Sequence, residues 1–300
     1  MNGSIATSPP TARPWLLLSI IAAVLAMAGS AITLLSQHLY DTLTPAFLPQ
    51  ALAQDLVNLL VVSPAMIVLS LLALRGSSPA FLLWLGTLLF TAYNYVIYTV
   101  GVPFGPLFLL WVGVLALSIF ALLGGAACIN RDELLVTYRS GRAALVSAWA
   151  LIVIALMFGA LWLSEDVPAL LTGTTPQSLV DQGVITNPVH VLDLGFFVPA
   201  VLVTGVLWLR RNLRAATVAP SFLVFLLLTG LPILVTPIVQ SVRGETAAWG
   251  VVVPIGTVTI VVVLLLGWLL RSMIIATRAG QDMRVPPRGL AGTGPQAARG

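Results

Sequence analysis

The chain has 300 residues, 59% of them hydrophobic and 8% charged, with a formal net charge of +4. Soluble domains carry about 25% charged residues, and a mean hydropathy of +1.04 leaves too little polar surface to face water. These figures exclude soluble domains and predict an all-α polytopic transmembrane bundle whose main partner is the lipid bilayer.

A bilayer core about 30 Å thick takes about 20 mostly apolar residues per helix, and the chain offers eight such runs. Residues 1–14, rich in Ser, Thr and Pro, read as a tail with nothing apolar to bury. The first span, 15–35, carries Ala22, Ala26 and Ser30 at a spacing that suits close helix packing. Ala26-Met27-Ala28 resembles a signal-cleavage site, but the apolar run continues to Leu35 and only Arg13 precedes it. A retained helix is therefore expected. Next comes a long connection, 36–54, with His38 and Asp41 three residues apart.

The second span, 56–74, opens after Asp55, contains Pro64 and ends at Leu74-Arg75. The third, 80–100, starts with Pro79-Ala80-Phe81-Leu82 and carries Tyr93, Asn94, Tyr95 and Tyr98. The fourth covers 107–127, and 128–142 reads as a linker between halves. A fifth span, 143–163, leads to a second long connection, 164–187. The sixth, 188–209, contains His190, Asp193, Pro199-Ala200 and Leu209-Arg210. Spans seven and eight cover 218–239 and 249–270. The second half is thus 143–277, and 278–300, rich in Gly, Pro, Arg and Gln, reads as a disordered tail.

All fourteen basic residues are arginines. If the N-terminus is cytoplasmic, Arg243 alone falls outside, and every other arginine falls inside. Tryptophans divide into two interfacial belts: Trp15, Trp84, Trp149, Trp208 and Trp268 near inner ends, Trp111, Trp162 and Trp249 near outer ends. Both termini are expected in the cytoplasm. The absence of lysine fits a high-GC bacterial genome, hence an inner-membrane location. No basic patch interleaves with exposed aromatics, so no nucleic-acid partner is expected.

Spans two and six share Asp-Leu, Pro-Ala and Leu-Arg in order, although the Asp-to-Pro spacings differ. The following spans begin Pro79-Ala80-Phe81-Leu82 and Pro220-Ser221-Phe222-Leu223, and each half opens with a long connection. Two explanations stand side by side. One is a parallel four-plus-four repeat; the other is chance likeness between sequences drawn from a small apolar alphabet.

Ionisable residues inside spans default to functional hypotheses. The only two histidines each precede an aspartate by three residues, as His38–Asp41 and His190–Asp193. Three readings of this outer polar level compete. Asp193, His190, Asn94, Asp55 and Tyr95 could line a hydrated outward pocket that binds a solute, cation or proton. His38, Asp41, His190 and Asp193 could bind a metal, since imidazole and carboxylate suit divalent ions. Alternatively, the acids stabilise helix dipoles and Asn94 makes an interhelical hydrogen bond. Prolines 64, 199, 232, 237 and 254 would kink their spans.

Cys128 is the only cysteine, which excludes a disulfide framework and thiolate clusters. Phosphate-binding loops, dinucleotide fingerprints, nucleophile elbows and zinc-protease helices are absent from the sequence, and no cofactor is expected. The stretches Gln54-Asp55-Leu56, Tyr95-x-x-Tyr98, Leu117-Ser118-Ile119 and Asp193-Leu194-Gly195, with Pro199, Gly205 and Arg210-Arg211, resemble a group of uncharacterised bacterial multi-pass membrane proteins. That resemblance spans most of the membrane region and implies no activity, substrate or cofactor. The expected function is permease-like handling of a small solute or ion. A membrane-embedded enzyme, or a sensor or accessory subunit, is the alternative.

Overall fold

The structure, a computed structural model, describes residues 12–130 and 135–276. The expected C-terminal tail, almost all of the N-terminal one, and Arg131 lie outside the described residues. Within them, eight helices are long and apolar enough to cross a membrane. They are α1 (Arg13–Leu35), α2 (Leu48–Leu74), α3 (Ser78–Gly101), α4 (Phe108–Ile129), α5 (Gly141–Thr172), α6 (Pro188–Leu209), α7 (Leu213–Val242) and α8 (Trp249–Ser272). The protein is an all-α multi-pass membrane bundle.

Two helices outrun their apolar stretches, which shortens both long connections. Pro49 stands in the first turn of α2, where its fixed φ and missing N–H suit a helix start. α5 continues through Glu165 and Asp166 until Gly173, in the left-handed conformation at φ 65°, stops it. Hydropathy marks where lipid ends, and a helix can continue beyond that depth. The extra turns of α5 place its two carboxylates on a rigid element.

The helices form two rings of four. α1 and α3 each pack on both α2 and α4; α5 and α7 each pack on both α6 and α8. The rings meet along α3 and α7, and the first turns of α2 also lie on α7. α3 is the most enclosed helix. At its crossing with α7 a Cβ on Gly86 would collide with the Ser221 carbonyl oxygen and Val224, while Ser221 Oγ donates to the Leu82 carbonyl at 2.8 Å. The first ring is filled by Trp84, whose Nε1 donates to Ser19 Oγ at 2.8 Å; Ser19 in turn meets Ser70 Oγ at 3.0 Å.

The linker and the end of the second half hold a two-stranded sheet that the sequence reading did not anticipate. β1 (Leu135–Tyr138) pairs antiparallel with β2 (Met273–Ala276), with Val136 opposite Ile275 and Tyr138 opposite Met273. Val136 is buried and its N–H donates to Thr217 Oγ1 at 3.0 Å. Pro220 leaves the Ala216 carbonyl without its helical donor, and the Tyr138 hydroxyl supplies one at 2.9 Å. Burial pushes the Tyr138 hydroxyl well above its usual range, which keeps it a donor.

α2 and α6 contain the same backbone device. A π-helical turn, Asn58–Val62 in α2 and Asp193–Phe197 in α6, ends two residues before Pro64 and Pro199 respectively. The Ser63 N–H reaches the Asn58 carbonyl and the Val198 N–H reaches the Asp193 carbonyl, so the wide turn absorbs the misfit ahead of each proline. Aligned on these prolines, Asp193 matches Asn58, and His190 matches Asp55. The two aspartates are therefore not equivalent positions.

Helix propensity alone would make Gly86→Ala favourable. Overpacking at the ring contact should instead lower stability by about 1–3 kcal/mol, read as a reduced unfolding midpoint in detergent. Gly113→Ala, with nothing within 4 Å of the added methyl, should leave the midpoint unchanged or raised. Equal effects of the two would dismiss the close contact as a determinant.

Candidate functional site

Asp55 is only 2% exposed. Its Oδ1 accepts from Ser30 Oγ at 2.8 Å and Tyr98 OH at 2.8 Å; its Oδ2 accepts from Thr33 Oγ1 at 2.6 Å and Tyr40 OH at 2.7 Å. The donors come from α1, the turn Gln37–Tyr40 after it, and α3. Burial, then the adjacent Asp55 carboxylate, pushes the Tyr40 hydroxyl far above its usual range. Tyr95 is buried alongside and stacks on Tyr98 at 5.4 Å between ring centroids. Four hydroxyls occupy the hydrogen-bonding capacity of one carboxylate. This arrangement ties α1, the turn after it and α3 to α2 and leaves nothing for a ligand.

Asn94 is held one step away. Its Nδ2 donates to Asn58 Oδ1 at 3.4 Å, which also accepts from Gln54 Nε2 at 3.0 Å. Asn58 Nδ2 is buried without a hydrogen-bond partner.

Asp193 sits in a different environment. It is 9% exposed; Trp162 Nε1 donates to its Oδ2 at 2.7 Å, and the Tyr93 hydroxyl also lies against the carboxylate. Residues 158, 162 and 166 of α5 recur every four positions, and 190, 193 and 197 of α6 every three or four, so both sets line one face of their helix. The facing rows mesh. Asp166 Oδ1 lies 3.0 Å from His190 Nδ1, Trp162 holds Asp193, and Phe158 and Phe197 line the same cavity. Trp162 also packs its ring on His190, centroids 4.5 Å apart.

A carboxylate at Nδ1 requires that nitrogen to carry the proton. His190 Nε2 is then turned towards Glu165, 3.9 Å from Oε2, and is buried without a hydrogen bond. His190 is 5% exposed.

Two cavities flank this row. One lies inside the second ring, about 50 Å³, bounded by α5, α6, α7 and α8; Asp193 shares its wall with Phe158, Phe197, Phe225, Thr229 and Thr259. The other is an open vestibule of about 510 Å³ between the ends of α5 and α6, reached by Asp166, His190, Asn187 and Thr174. Trp162 links a residue of each cavity wall: its indole N–H bonds to Asp193, and its ring packs tilted against His190.

The sequence-selected residues therefore separate. Asp193 lines the inner cavity and His190 the vestibule. Asp55 and Tyr95 belong to the hydroxyl cluster, and Asn94 to the Asn58 pair. His38 and Asp41 are exposed around the turn after α1, linked by a backbone hydrogen bond of 3.3 Å. Among the described residues no group of three or more His, Cys, Asp or Glu could hold a metal ion. Sequence reasoning missed Trp162, Glu165 and Asp166, assigning the first to an interfacial belt and the others to a loop. The four-residue spacing from Phe158 through Trp162 to Asp166 was the available signal.

The chain matches no family model, no curated protein and no solved structure.

Asp55→Ala would leave Ser30, Thr33, Tyr40 and Tyr98 without their acceptor, at about 1–3 kcal/mol for each hydroxyl that stays unsatisfied. That variant should lose folded yield and unfold at a lower temperature than Asp193→Ala, whose carboxylate holds fewer donors, Trp162 and Tyr93. An Asp55→Ala protein with the native midpoint would contradict a structural role for the cluster.

Proposed function

We propose that the protein is permease-like and passes a small solute or ion through the second ring, with Asp193 as the binding carboxylate. The observation that carries this reading is the contrast between the two buried aspartates. Asp55 is saturated by four protein hydroxyls, while Asp193 has the Trp162 N–H and the neighbouring Tyr93 hydroxyl and opens onto a cavity. A carboxylate inside a membrane bundle is costly unless it is paired, and the cavity leaves room for what pairs it. The vestibule supplies an entry and the Trp162–His190 contact a gate.

An enzymatic reading has less support. Among the described residues Asp193 is the only titratable side chain lining the inner cavity, whereas bond-breaking chemistry calls for acid and base groups around a common reacting atom.

The orientation belongs to the same proposal. Among the described residues Arg13, Arg75, Arg139, Arg142, Arg210, Arg211, Arg214 and Arg271 lie at one end of the alternating helices, and Arg243 lies at the other beside Glu245. By the positive-inside rule the arginine-rich end is cytoplasmic, which places both termini inside and the vestibule outside. The matching rings and matching π turns support a parallel duplication of a four-helix unit, in which the second copy carries the cavity at its π turn.

Two measurements test these statements. Purified protein in liposomes should pass one class among labelled cations, amines, sugars and amino acids. Asp193→Asn should abolish that flux by at least tenfold while keeping the native unfolding midpoint. Flux that survives the substitution would make Asp193 a helix-end residue. Separately, topology reporters fused near Arg139 and after Gly300 should both signal cytoplasmic placement, and an external signal at either would overturn the orientation.

A further inference from the structure

We infer that the inner cavity binds a small organic cation, an alkylammonium group whose charge pairs with Asp193 and whose carbon body fills the aromatic and aliphatic wall. The inference rests on the permease reading and names the substrate class of that site.

Four candidate classes can be compared against the same wall. An anion would face the Asp193 carboxylate with no basic side chain among the lining residues to offset it. A neutral polar solute would need hydrogen-bonding groups spread around it. Apart from Asp193, the lining side chains offer only Thr229 and Thr259, whose hydroxyls already donate to the Phe225 and Ile255 carbonyls at 2.9 and 2.8 Å. A bare metal cation needs about six or more oxygen ligands, and one carboxylate with two hydroxyl oxygens falls well short. An organic cation needs only one counter-charge and otherwise prefers carbon. Phe158, Phe197 and Phe225 supply that carbon, and aromatic faces attract such cations.

Size agrees with a small head group. Space of about 50 Å³ for water centres corresponds to roughly three or four waters, the scale of a tetramethylammonium ion. The approach agrees in sign. Asp166 lines the vestibule and Glu165 stands beside His190, so a cation enters along a favourable potential. On the way to Asp193 it meets Trp162, whose indole N–H donates to the carboxylate at 2.7 Å. A cation arriving at the carboxylate takes over that role, so ligand binding and release of the Trp162 gate are one event.

The test uses tetramethylammonium itself, labelled, in equilibrium dialysis with the full chain in detergent. Wild type should bind it saturably at one site per chain, and excess sodium or calcium should not displace it. Asp193→Asn should weaken binding at least tenfold. Phe197→Leu, which keeps an apolar wall but removes the ring, should weaken it severalfold; gel filtration and the unfolding midpoint identify any variant that fails to fold. Absence of saturable binding by wild type overturns the inference, as does equal binding by Asp193→Asn or displacement by sodium or calcium. If binding fails while an Asp193-dependent flux of another solute persists, the substrate class is wrong and the permease reading stands. If neither exists, both fall.

Discussion

A polar group inside a membrane bundle has no bulk water to turn to, so its hydrogen bonds must come from protein or from a resident ligand. The organisation of this molecule follows from how each buried group meets that demand. Asp55 meets it completely, through Ser30, Thr33, Tyr40 and Tyr98. Because those donors come from α1, the turn after it and α3, the same hydrogen bonds fix the carboxylate-bearing end of the first ring. Nearer the other end, Trp84, Ser19 and Ser70 tie the same three helices together. The first ring is braced at both ends.

The second ring gives its buried carboxylate fewer donors. At the proline-linked π turn, where the first ring places Asn58 under Gln54 and Asn94, the second places Asp193. An amide can share hydrogen bonds with neighbouring amides. A carboxylate accepts only, and its neighbours here are an indole N–H and a tyrosine hydroxyl. The π turn contributes by changing the helical register before the proline, which aims the side chain at its first position into the ring. One backbone device carries an amide that bonds to neighbouring amides in one half and a carboxylate beside a cavity in the other.

The outer row joining Asp166, His190, Trp162 and Asp193 shows why a single helix could not build this site. Each residue comes from α5 or α6, and the row exists because α5 continues beyond its apolar run to face the first turns of α6. Had α5 ended with its apolar run, Glu165 and Asp166 would sit on a loop, and His190 would lack the partner that sets its tautomer.

Composition and arginine placement by themselves determined the eight crossings, because insertion energetics act on each segment nearly independently of its neighbours. Asp193 and His190 were legible for the same reason, as ionisable residues in apolar surroundings. What only tertiary structure decided was which polar residues meet. The sequence treats Asp55 and Asp193 alike, yet one is enclosed by hydroxyls from α1, the turn after it and α3, while the other faces a space bounded by α5, α6, α7 and α8. Trp162 looked like an interfacial anchor until α6 was set against it. The pairing of β1 with β2 joins segments far apart in the chain, and no local pattern encodes a partner at that distance. Segment hydropathy is a sum over consecutive residues, whereas a site depends on side chains that the fold brings together from separate helices.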